Sequence, residues 1–112
     1  MLLSMSDNKQ HAAVQKAIAD IEAEMKKVGM WQAEALSPEL FGFQEAFGMD
    51  TMAFSQWLQF VFVPNVRKIL LEEGEFPSQS WVGVQAMREF DGFEEAGELV
   101  RLLSDFDAMF EE

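Results

Sequence analysis

The sequence predicts an all-α protein: an irregular four-helix bundle or array whose central helix is kinked at Pro64. Three observations carry this. Apolar residues recur at helical spacing almost from end to end, and no segment sustains period-two alternation. Hydrophobic residues make up 49% of the 112 and charged ones 25%, enough apolar material for one core. No Gly/Ser-rich linker, repeat or low-complexity stretch divides the chain. Residues 7–112 therefore read as one helical domain, preceded by a disordered leader, residues 1–6.

The first helix is expected from about Asp7 to Val28. Asp7 followed by Gln10 matches a capping box. Val14, Ile18, Ile21, Met25 and Val28 form one stripe, with Ala17 beside it. Glu22 and Lys26 make a favourable i,i+4 pair. Gly29 sits where a glycine just past a helix end belongs. In "LSPELF", Ser37 and Pro38 open a single helical turn. Gly42 and Gly48 punctuate the next segment. The central helix starts near Asp50 or Thr51 and runs to about Glu73, where Gly74 stops it. "GEFPSQS" is a connection, and a shorter helix runs from about Trp81 to Phe90. Asp91, with Glu94 three residues on, caps the last helix. That helix carries Ala96, Leu99, Leu103, Phe106 and Phe110 on one face.

The stretch "MDTMAFSQWLQFVFVPNV" holds most of the apolar bulk of the central helix. Before the proline, Phe54, Trp57, Leu58, Val61 and Phe62 share a stripe, with Ser55, Gln56 and Gln59 opposite or beside it. After it, Val66, Ile69 and Leu70 form the stripe. The two stripes are offset by about 100°. Pro64 has no N–H for the carbonyl of Phe60 and crowds it. A kink there, such as a π-type wide turn holding one extra residue, would bring the stripes into line; alternatively the helix stays regular and its two halves pack on different neighbours. The stretch thus reads first as the middle of a core. Gln56, Phe60, Val63 and Arg67 lie off the main stripe, on a second packed face or a ridge that docks into a partner's groove.

Composition excludes several classes of chemistry. Without cysteine there is no disulfide, thiolate nucleophile or cysteine-held metal. Twenty Asp and Glu against eight Lys and Arg give a net charge of -12, which argues against binding a phosphate backbone and fits a basic protein surface. The opening "MLLSMSDNK" lacks the basic start and apolar run of a signal peptide, and no apolar run approaches the roughly 18 residues that span a bilayer. A cytoplasmic protein is expected. His11 has no second histidine with which to share a metal. Carboxylates are plentiful but lack calcium-loop spacing. No phosphate-binding glycine loop, nucleophile elbow or zinc-protease motif occurs, and no cofactor is expected.

Trp31, then "MDTMAFSQWLQFVFVPNV", then Phe76–Pro77 resemble the YqcC-like family of small bacterial proteins. The resemblance spans roughly Met25 to Phe90. It implies a compact fold of four main helices and gene neighbourhoods that often include a tRNA pseudouridine synthase. It supplies no catalytic or binding residues. The arginine that family members commonly carry after the proline is Asn65 here.

Together these readings favour a non-enzymatic interaction module associated with tRNA pseudouridine modification, whose partner is an RNA-modifying enzyme rather than the RNA. One alternative is a binder of small apolar ligands, in a pocket lined by Trp31, Phe47, Trp57 and Trp81. Another is a hydrolase working with carboxylates alone, drawn from Asp50, Glu89 and Asp91. The candidate binding residues are Trp31, Phe47, Gln56, Trp57, Phe60, Val63, Arg67 and Trp81.

Overall fold

Helix α1 spans Met5–Lys27 in a computed structural model that describes residues 5–110, with side chains from Lys9 to Phe110. Asp7 thus lies inside α1 and not at its N-cap. Of the expected leader, Met5 and Ser6 belong to the helix, and residues 1–4 lie outside the described residues. Four of the five predicted stripe residues, Val14, Ile18, Ile21 and Met25, are almost wholly removed from water, while Val28 at the helix end is only partly buried. Burying each such side chain contributes about 1.5–3 kcal/mol. The helix ends as expected at Gly29, whose φ of 79° is left-handed. Around it the Met30 N–H reaches the Met25 carbonyl at 2.8 Å and the Gly29 N–H the Lys26 carbonyl at 3.3 Å.

An irregular segment with two 3₁₀ turns, Pro38–Phe41 and Ala46–Gly48, leads to the central helix. That helix begins at Phe54, later than Asp50 or Thr51. It runs without a break through α2 (Phe54–Trp57), a π-helical turn (Leu58–Phe62) and α3 (Val63–Glu72). The Val63 N–H bonds to the carbonyl of Leu58, five residues back, which defines the wide turn. Pro64 comes next, where the missing N–H is least disruptive. Val63 keeps helical dihedrals (φ −60°, ψ −48°), so the chain passes through this region as helix. The extra residue rotates everything downstream by about 100°. Leu58, Phe62, Val63 and Val66 therefore all face the core.

Three further details depart from the sequence reading. Gln59 is buried, not polar surface, because its amide pairs with the backbone of Gln32. The left-handed residue that ends α3 is Glu73 (φ 52°), one residue before Gly74. The Gly74 and Glu73 N–H groups close on the carbonyls of Ile69 (2.9 Å) and Leu70 (3.3 Å). Asp91 caps nothing: it is exposed in a turn, and α5 (Gly97–Ala108) is preceded by a 3₁₀ turn, Glu94–Ala96, that opens after Phe93.

Helix α4 spans Val82–Glu89 and packs on α5, while α1 packs on α5 and α3. Ala96, Leu99, Leu103, Phe106 and Phe110 are buried, as their spacing predicts. The α4–α5 approach is close because of Gly83. A Cβ there would lie 2.5 Å from Ser104 Cα, so no side chain fits without separating the helices. Asp107 of α5 then caps α4 from outside. Its buried carboxylate accepts the Ser80 hydroxyl (2.6 Å), the Val82 N–H (3.0 Å) and the Gly83 N–H (2.8 Å).

Candidate functional site

The central helix organises a continuous set of rings. Phe47 meets Trp57 edge-on at 5.1 Å, and Trp57 stacks between Phe54 (6.0 Å) and Phe62 (5.8 Å). Phe62 continues to Phe106, Phe106 to Phe110, Phe110 to Phe76, and Phe76 to His11 at 4.8 Å. Edge and offset contacts of this kind add to burial, so the rings fill one another's faces. Holding Phe47 in this set requires a left-handed backbone at a bulky residue (φ 59°). Gly48 comes next with φ 63°, and a Cβ on it would press on Met52 and Trp57.

Polar residues of the same stretch tie down the loop ahead of it. The Asp50 carboxylate accepts the Gln44 (3.0 Å) and Glu45 (3.3 Å) N–H groups. These backbone donors, Gln44 foremost, hold its carboxyl below the usual range. The Thr51 hydroxyl donates to the Leu40 carbonyl at 2.6 Å. Gln59 pairs with Gln32 as a strand neighbour would. It accepts the Gln32 N–H at 2.9 Å and donates to its carbonyl at 2.7 Å, so its amide is satisfied although buried. Gln56 accepts the Ala53 N–H (2.9 Å) and donates to the Gln32 side chain (3.2 Å).

The candidate binding residues do not form one site. Phe47 and Trp57 meet in the ring set, and Gln56 belongs to the glutamine cluster. Trp31 is partly buried, with Lys26 Nζ 5.3 Å above its ring. Val63 is buried and Phe60 half-buried, so they make no exposed ridge with Arg67. Arg67 meets Glu22 Oε1 as an ion pair outside hydrogen-bond alignment, while Lys26 takes Oε2 at 2.7 Å. Lys26 and then Arg67 lower the Glu22 pKa, against the opposing effect of burial. Trp81 stands apart, 59% exposed at the start of α4.

Elsewhere, a groove of about 540 Å³ between α1 and α3 is lined by His11, Gln15, Ile18, Arg67, Leu70 and Leu71 among others. Among the described residues no cluster of three His, Cys, Asp or Glu is placed to hold a metal, and no helix is long and apolar enough to cross a membrane. Asp50, Glu89 and Asp91 do not converge: Asp50 serves the loop, Glu89 accepts from Gln85 at 3.0 Å, and Asp91 faces water. The sequence reading missed Asp107, Gln32 and Gly83, whose roles depend on partners far along the chain. Val84 and Met87, which the sequence reading did not single out, are exposed on α4.

Known proteins similar to this chain agree with the fold. A solution NMR structure of protein YqcC from E. coli has a TM-score of 0.80 at 24% identity, covering 90% of this chain and 87% of that one. An uncharacterized protein of Haemophilus influenzae is 28% identical over 89 residues, 77% of this chain and 78% of its own length. A tRNA pseudouridine synthase C of Pectobacterium carotovorum subsp. carotovorum is 35% identical over 68 residues. That match covers 61% of this chain but only 18% of the synthase. The family model described as DUF446, tRNA pseudouridine synthase C, matches residues 13–109. With nearly its whole length matched by that model and its fold matched by YqcC, the chain belongs to the YqcC-like, DUF446 family.

Proposed function

We propose that the chain is a non-catalytic interaction module for a tRNA pseudouridine synthase. The observation that carries this reading is the match to the Pectobacterium synthase, in which a segment similar to 61% of this chain makes up 18% of the length. A protein that joins such a segment to a synthase supports a partnership between the two when they are separate chains. We read the enzyme name in the family description as belonging to the remainder of that longer protein. The local chemistry supports the same reading. The best-placed carboxylates have structural tasks: Asp107 caps α4, Asp50 holds a loop, and Glu22 joins Lys26 and Arg67. A net charge of -12 favours the enzyme over its RNA as the partner. The apolar-ligand reading has less support, since of its four lining residues Phe47 and Trp57 pack on each other and Trp81 lies apart.

The test mixes the full chain with the tRNA pseudouridine synthase C of its own organism, and separately with tRNA, and measures mass by light scattering after gel filtration. A complex with the enzyme and none with tRNA is expected, and the chain alone forms no pseudouridine. Binding to tRNA without the enzyme, or pseudouridine formation by the chain alone, overturns the reading.

A further inference from the structure

Helix α4 buries one face and leaves an apolar one in water. Val82, Gly83, Gln85 and Ala86 are buried, chiefly against α5. Trp81, Val84 and Met87 recur every three residues on the other side and are 59%, 41% and 53% exposed. The shortest dimension of the molecule, 25 Å, is about two helix diameters, so a helix packed on one layer has its far face free. Apolar residues grouped on such a face contribute little to the core, and patches of this kind mark interaction sites. The other strongly exposed apolar residue of a long helix, Leu71, is followed by Glu72 and Glu73 and has no apolar companion on its face of comparable exposure.

We propose that this face of α4 docks onto a cationic surface of the tRNA pseudouridine synthase, an inference that rests on the functional reading above. Charge selects the occupant. Residues 69–112 hold twelve Asp or Glu and two Arg, so they carry -10 of the net -12. Glu89, Asp91, Glu94 and Glu95, at and just beyond the C-terminal end of α4, are all exposed, and Arg88 is the one cation of the helix. An enzyme that binds tRNA must present basic surface. A second copy of this chain would set -10 against -10 across the two-fold axis, and RNA has the wrong sign. The face is also rigid before it meets a partner. Asp107 fixes residues 80, 82 and 83, and Gly83 seats α4 against Ser104, so little ordering entropy is lost on docking.

Calorimetric titration of the full chain into the synthase tests this, with W81A, the double variant V84S/M87S, and L71S, none of which changes the net charge. All four positions are exposed, so circular dichroism and melting temperature should match the wild type. The double variant and W81A are each expected to weaken binding about tenfold or more. L71S is expected to bind as the wild type does, and wild-type affinity to fall as sodium chloride rises. Wild-type affinity in the α4 variants, or loss confined to L71S, overturns the docking face and leaves the functional reading standing. No binding by the wild type overturns both. A wild-type dimer that V84S/M87S dissolves makes a second copy the occupant and also overturns the proposal.

Discussion

At the scale of single residues, Asp107 has the clearest structural task. Its carboxylate gives one hydroxyl and two backbone N–H groups at the start of α4 their partners. D107A leaves those N–H groups buried and unpaired, and we expect a loss of about 2–3 kcal/mol in urea denaturation, with D107N recovering part of it. Glu73 predicts the opposite sign. A non-glycine residue in the left-handed region is strained, so E73G should gain about 0.5–1 kcal/mol by the same measurement. These two residues mark the limit of local reading. The glycine rule points to Gly74, but the turn that closes on Ile69 and Leu70 places the left-handed residue one step earlier. Asp107 looks like surface charge at the end of an apolar stripe. Its three partners are 24 to 27 residues away, beyond any local pattern.

At the scale of elements, the central helix was the most legible and the most instructive. Offset stripes on either side of Pro64 allow extra rotation or two separate packing faces; the structure has a π turn at Leu58–Phe62, ahead of the proline, and the helix continues unbroken through Pro64. The stripes of α1 and α5 were equally readable because each buries a single face. Gln59 was not readable. A polar residue beside a stripe looks like solvent surface, and only the return of the chain at Gln32 gives its amide two backbone partners. Q59L keeps much of the volume but leaves the Gln32 N–H and carbonyl unpaired. We expect it to cost about 1–3 kcal/mol, and the Gln32 amide to exchange with deuterium faster than in the wild type. A Q59L variant as stable as the wild type would mean that the paired bonds do not anchor the loop. The sequence reading placed Trp81 in a ligand pocket with Trp31, Phe47 and Trp57; the face it shares with Val84 and Met87 became visible only once α5 had claimed the opposite side of α4.

At the scale of the whole molecule, an aromatic core is enclosed in a surface of net charge -12. Glu22, Asp50 and Glu98 all have carboxyl groups held below their ordinary values, by Lys26, by the Gln44 N–H and by Arg101 respectively as the leading cause. A depressed carboxyl binds protons less readily in the folded chain than in the unfolded one. Its contribution to stability is therefore present above the ordinary carboxylate range and is lost as pH falls through the lowered value. The melting temperature should drop as pH falls below about 4. E22Q, which removes the half-buried member, should cost about 1 kcal/mol at pH 7 and progressively less in acid. A constant E22Q deficit across that range would exclude the ion pairs with Lys26 and Arg67 as its source.

We infer that a rigid helical scaffold presents the outer face of α4 to a tRNA pseudouridine synthase. Hydrogen–deuterium exchange of the chain, free and in the presence of the synthase, tests it most directly. Added protection is expected in residues 81–93, with α1 and α3 unchanged. Protection along the groove between α1 and α3 with none in α4, or no protection anywhere at saturating enzyme, would contradict it.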